Sequence, residues 1–121
     1  MDDVSLTKSY DILINSFALH GSSGEDYMYR KGSGLEASYF TYITSSDKYS
    51  SSMGDGTVRT VATNNATINT TSYYLQSFYI DRTSNQVLYV NGVASTGTSL
   101  TNLGKVTYLG SLYIGTYAGV S

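Results

Sequence analysis

The sequence predicts an all-β domain, an antiparallel sandwich or barrel, and three observations carry that reading. No apolar stripe of helical period and useful length runs anywhere in the chain. Aromatic and β-branched residues recur instead in short runs. Between the runs stand clusters of Gly, Ser, Asn and Asp, which tolerate the backbone angles that turns require. At 121 residues the chain is sized for one core, so residues 1–121 are read as a single domain.

Taken in order, strands are expected over Tyr10 to Leu19, Tyr27 to Lys31, Ala37 to Thr44 and Tyr49 to Met53, then over Thr57 to Thr63. Turns at Gly21-Ser22-Ser23-Gly24, Lys31-Gly32-Ser33-Gly34, Gly54-Asp55-Gly56 and Asn64-Asn65 separate or end them. Tyr73 to Asp81 follows, with Tyr74, Gln76, Phe78 and Ile80 on one face and Tyr73, Leu75, Ser77 and Tyr79 on the other. Aromatics on both faces predict a central, well-covered strand. Gln86 to Val90 and Gly92 to Ser95 come next, joined by Asn91-Gly92, a pair suited to the positive φ of a two-residue type I′ turn. Ser111 to Thr116 is the last strand.

Composition narrows the function. Hydrophobic residues make up 40%, much of it thirteen Tyr, and charged residues only 13%. Solubility must then come from hydroxyls and amides on outward strand faces, a texture that suits an extracellular or virion surface. A net charge of -2 with seven scattered Lys and Arg offers no basic field for a polyphosphate, so no nucleic-acid partner is expected. Absence of Cys removes disulfides, thiolate metal sites and cysteine catalysis. No window reaches the length of a membrane span, and Met1-Asp2-Asp3-Val4 has neither basic nor apolar signal character, so no export signal is expected if this is the native start. Absence of Pro leaves sheet edges to be guarded by Lys48, by Lys105, by glycine bulges or by a neighbouring chain.

The stretch Tyr73-Tyr74-Leu75-Gln76-Ser77-Phe78-Tyr79-Ile80-Asp81, then Gln86-Val87-Leu88-Tyr89-Val90-Asn91-Gly92, then Leu112-Tyr113-Ile114-Gly115, resembles the laminin-G-like, concanavalin A-like lectin/glucanase superfamily. Upstream, Asp11 to Phe17 looks like the family's early core strand and Arg30-Lys31-Gly32 like its Lys-Gly turn. Tyr39 to Ile43 with Gly54-Asp55-Gly56-Thr57 looks like the strands that follow. Tyr73 stands where the family usually has Trp, and the chain stops soon after Ile114-Gly115, where the family adds a closing strand. The resemblance implies a jelly-roll β-sandwich that is either a trimmed version of the domain or one whose open edge a partner chain completes by strand addition.

Catalysis is not expected. A retaining glucanase needs two carboxylates about 5 Å apart, and the only glutamates, Glu25 and Glu36, form no such array. His20, the only histidine, lacks a nucleophile elbow nearby and reads as an exposed or satisfied polar residue. Calcium is possible, since some relatives hold it with Asp and carbonyl oxygens at the loop rim; Asp47, Asp55 and Asp81 are the candidates by type and position, against a turn-forming reading of Asp55 and Asp81. For a lectin-like site, aromatic rings that stack on sugars would come from Tyr27, Tyr29, Tyr42, Tyr49, Tyr108 or Tyr117. Most tyrosines are read instead as core fillers with their hydroxyls at the rim. Asn65-Ala66-Thr67 and Asn69-Thr70-Thr71 match the glycosylation sequon but read as polar loop. The expected function is a non-catalytic structural, decoration or adhesion module of a virion, phage-like, or of another surface assembly, with other protein subunits as partners. The alternative is a carbohydrate-binding module of a secreted or cell-surface protein, with glycans as partners.

Overall fold

The computed structural model describes residues 12–20, 26–31, 37–81, 83–104, 106 and 112–114. Ten strands and no helix are found among them: β1 (Ile12–Leu19), β2 (Asp26–Lys31), β3 (Ala37–Ile43), β4 (Lys48–Asp55), β5 (Arg59–Thr67), β6 (Tyr73–Ile80), β7 (Asn85–Val90), β8 (Val93–Ala94), β9 (Thr98–Ser99) and β10 (Leu112–Ile114). They form two five-stranded antiparallel sheets. One runs β1-β6-β7-β8 with β9 also on β7, and the other runs β10-β2-β3-β4-β5. The chain changes sheet after β1, after β5 and before β10, a jelly-roll sandwich as expected.

The alternating pattern of β6 explains how the layers pack. Tyr74, Gln76, Phe78 and Ile80 are buried, and Leu88 and Val90 of β7 join them from the same sheet. Tyr49 and Met53 of β4 and Ala62 of β5 meet them from the other side. Each large apolar side chain buried in this way contributes roughly 1.5–3 kcal/mol. The opposite face of β6 departs from expectation: the strand is central, but Tyr73 and Leu75 are 59% and 45% exposed, so its outer face is open. That face continues into β1 through Leu13, Phe17 and Leu19, all exposed.

Turn chemistry sets the registers. Asn91 (φ 50°) and Gly92 (φ 83°) form the expected two-residue turn, pairing Val90 with Val93. The β3–β4 turn needs one left-handed residue and uses Asp47 (φ 56°), with the Thr44 hydroxyl accepting the N–H groups of Ser46 and Lys48. The expected break at Asn64-Asn65 is absent. β5 runs on to Thr67 because the buried Asn64 side chain turns inward and bonds three backbone groups, as detailed below.

Lys48 guards no edge. It opens the central strand β4, and its ammonium donates to the Asn65 carbonyl (2.7 Å) and the Thr67 hydroxyl (2.6 Å) across a bulge in the β4–β5 pairing. β9 was not foreseen in the sequence. It is the second half of a strand begun by β8, interrupted where the Ser95 N–H bonds the Leu88 carbonyl and the Ser95 hydroxyl accepts the Leu88 N–H. The expected strand from Ser111 to Thr116 is present as Leu112–Ile114; its remainder, the turns at residues 21–24 and 32–34, and Lys105 lie outside the described residues.

Candidate functional site

Two bonds at the start of the β7–β8 hairpin help to shape a sugar-sized hollow. The Asn91 carboxamide oxygen accepts the Leu75 N–H, and the Asn91 N–H bonds the Leu75 carbonyl, which fixes the hairpin tip against β6. From inside, the Asn64 amide donates to the carbonyls of Leu88 (3.2 Å) and Val93 (2.9 Å) while its oxygen accepts the Ala66 N–H (2.9 Å). Between these anchors lies a cleft of about 480 Å³, within the range typical of ligand sites. Buried Tyr74 and Val90 line its inner side, and Asn65, Asn91, Ser95 and Thr96 bring amides and hydroxyls to it. An apolar wall with uncharged donors and acceptors suits a neutral, hydroxyl-rich ligand better than an ion. Asn-Gly and Asn-Asn were legible in the sequence as turn formers, and that signal concealed their place around one cleft.

The aspartates expected at a calcium site are spread over separate loops. Asp47 and Asp55 lie at opposite ends of the eight-residue β4, roughly 26 Å apart at a strand rise of ~3.3 Å per residue. One Asp55 carboxylate oxygen accepts the N–H groups of Val58 (2.6 Å) and Thr57 (2.8 Å), and the other accepts that of Gly104 (2.6 Å). Those bonds, Val58 first, hold its pKa below the ordinary carboxylate range. Asp81 accepts the hydroxyl (2.7 Å) and N–H (2.9 Å) of Thr83, bonds that lower its pKa likewise. Asp55 thus staples the segment after β9 to the β4–β5 turn, and Asp81 shapes the β6–β7 loop. Among the described residues no three acidic or histidine side chains gather as a metal site.

Among the described residues the candidate tyrosines divide between the core and the sheet β10-β2-β3-β4-β5. Tyr49 is fully buried in the core, where burial pushes its phenol well above the ordinary tyrosine range. It is therefore no sugar platform, because no face of the ring reaches solvent. Tyr29 is half-buried against the core and its hydroxyl donates to the Asn15 carbonyl across the sheets (3.3 Å). Tyr42 lies half-buried on the outer face of β3, 5.5 Å from the Phe40 ring, over which the guanidinium groups of Arg59 and Arg30 sit at 5.5 and 6.0 Å. Tyr27 stands opposite Tyr42 in register, while Tyr108 and Tyr117, like Glu25 and Glu36, lie outside the described residues. His20 is buried, not exposed, and pairs with the Gln76 side chain. The sequon residue Asn69 accepts the N–H and hydroxyl of Thr71, local turn chemistry.

No protein-family profile matches the chain, and no curated protein does. Among solved structures, domains LG4-5 of the mouse laminin α1 chain are similar, with a TM-score of 0.75 at 16% identity over 97% of this chain. This chain spans about 30% of the length of that structure. The likeness establishes the laminin-G-like fold that the Tyr-Val-Asn-Gly hairpin suggested. Among the described residues no helix is long and apolar enough to cross a membrane.

Proposed function

We propose that the chain is a non-catalytic adhesion or decoration module of a surface assembly, of the kind carried by a virion or a cell surface. One observation carries the reading: the loop carboxylates Asp55 and Asp81 are spent on bonds that hold loops in place. General acid–base cleavage of a glycoside needs two carboxylates within one site, and Asp47 and Asp55 stand a strand length apart. What the fold presents outward is uncharged contact surface, on β1 and β6 and around the hairpin cleft. Contact of that kind serves protein subunits of an assembly.

The cleft favours a second reading, carbohydrate recognition, since its apolar wall would take the C–H face of a sugar and its amides the hydroxyls. A glycan array probed with the folded chain, with calcium and again with chelator, separates the two. Binding without release of reducing ends makes glycans the ligand, and loss of binding in chelator adds calcium. No binding by a folded chain favours protein assembly partners. Hydrolysis of any arrayed glycan overturns the non-catalytic reading altogether.

A further inference from the structure

The pairing pattern of the β7–β8 hairpin leaves one residue with its backbone turned outward. Val90 and Val93 face each other across the two-residue turn, and in such a hairpin that pair exchanges both of its main-chain bonds. Further along the ladder the Ser95 N–H bonds the Leu88 carbonyl at 2.7 Å. Bonded and non-bonded pairs alternate between antiparallel strands. Ala94, which lies opposite Tyr89 between those two bonded pairs, therefore turns its N–H and its carbonyl away from β7. β8 ends its sheet among the described residues, and Ala94 is exposed there.

This edge is short but otherwise unguarded. Residues 93–99 contain no charge and no Pro, the features that commonly keep an edge from pairing further. Directly opposite residues share a face, so Val93 points to the same side as the buried Val90, and yet it is 65% exposed. The hairpin cleft of about 480 Å³ accounts for that exposure: residues 93–96 run along it, residues 64–66 face them, and Tyr74 and Val90 lie on its inner side. Among the described residues no charged side chain lines it.

We propose that an uncharged, extended segment of another polypeptide adds to the outer edge of β8, antiparallel, and closes the cleft. One residue of that segment exchanges both main-chain bonds with Ala94. Side chains alternate along a strand, so the residues on either side of it point into the cleft on the face of Val93, where Tyr74, Val90 and Val93 receive apolar groups. Main-chain pairing then supplies the affinity and the two apolar positions supply the selectivity. The inference rests on the reading of the chain as a module of a protein assembly, and it gives the partner a place and a chemistry.

Nuclear magnetic resonance titration of the full chain with acetyl-Ser-Val-Thr-Val-Ser-amide tests this. The amide signals of residues 93–96 should shift, and at saturation the Ala94 amide should exchange with solvent about tenfold more slowly than in the free chain. Methylating the central Thr nitrogen of the peptide removes the donor to the Ala94 carbonyl and should weaken binding about tenfold, the equivalent of one hydrogen bond at the upper end of the ordinary range. Methylating either Val nitrogen, which points away from β8, should leave binding within about twofold. Ala94→Pro removes the donor from the edge without touching a bond to β7, so it should keep the far-ultraviolet circular dichroism and weaken the unmodified peptide about as much. A peptide that binds equally well with its central nitrogen methylated, or that shifts residues elsewhere on the chain, overturns the strand addition and leaves protein contact as the function. Absence of binding at millimolar peptide overturns the strand addition as well. Shifts at the cleft from a neutral glycan and none from the peptide give the cleft to a sugar, and overturn both the strand addition and the assembly reading on which it rests.

Discussion

Replacing Asn64 tests whether the cleft is held by hydrogen bonds or by packing. Asn64 is 2% exposed and its side chain serves three backbone groups: the Leu88 and Val93 carbonyls and the Ala66 N–H. In Asn64→Ala the Leu88 carbonyl keeps the Ser95 N–H as a donor at 2.7 Å, so two groups lose this partner. At about 1–2 kcal/mol for each partly buried group, plus a small cavity term, the loss is roughly 2–4 kcal/mol. Asn64→Asp is the informative partner variant. It conserves shape and keeps the acceptor for Ala66, but aims carboxylate oxygen at two carbonyls within a buried site, so it should cost more than alanine. Urea unfolding followed by tyrosine fluorescence measures both, with an unchanged m-value required for the comparison. At roughly 4 °C per kcal/mol the Ala variant should also melt about 8–16 °C lower. If aspartate proves milder than alanine, shape rather than donor chemistry holds the hairpin to β5, and this account of the cleft fails.

Three further outcomes follow from the same bonds and packing. Asp55 has its pKa lowered in the fold, so the unfolded chain binds more protons through that range; the stability it contributes is present above the ordinary carboxylate pKa and lost as pH falls through the folded value. Asp55→Asn should accordingly lose less urea stability than the native chain between about pH 5 and pH 2, and equal slopes would show that its three N–H bonds are not charge-dependent. Phe78→Ala, at a fully buried position in the middle of β6, should cost about 3–5 kcal/mol in the same assay, and a loss under 1 kcal/mol would place Phe78 outside the core. Gly92→Ala meets no atom within 4 Å of its new Cβ but must hold φ at +83°, so thermal melting should report about 1–2 kcal/mol from backbone conformation alone, with a neutral result refuting the type I′ assignment.

The strands were legible because their period is local. The alternation of Tyr74, Gln76, Phe78 and Ile80 needs only neighbouring residues to be read, and Asn91-Gly92 sets a register by its own backbone preference. What escaped depends on partners distant in sequence. Asn64-Asn65 looks like a turn until Leu88 and Val93, more than twenty residues on, supply acceptors that keep Asn64 inside a strand. Asp55 forms the turn that its place between two glycines suggested, through the Thr57 and Val58 N–H groups, but its bond to the Gly104 N–H comes from a distant part of the chain. Tyr49 has the composition of a ligand platform, and only the closing of one sheet over the other decides that it fills the core. The site was therefore less legible than the fold.

The same separation explains how a chain with so few charges divides its surfaces. Inside, several polar side chains that would be costly alone are paired between or within sheets: Gln86 of β7 accepts the Ser51 hydroxyl of β4 at 2.9 Å and donates to the Thr60 hydroxyl of β5 at 3.0 Å, while Gln76 takes His20. These bonds fix the mutual position of the sheets with directional contacts that an all-aliphatic core lacks. The outer face of β1 and β6 is largely exposed, with Leu13, Phe17, Leu19, Tyr73 and Leu75 open to solvent. Exposed Leu, Phe and Tyr there add little to the core and favour association, which is why the surface role is proposed on that sheet and not on β4, whose serines are buried.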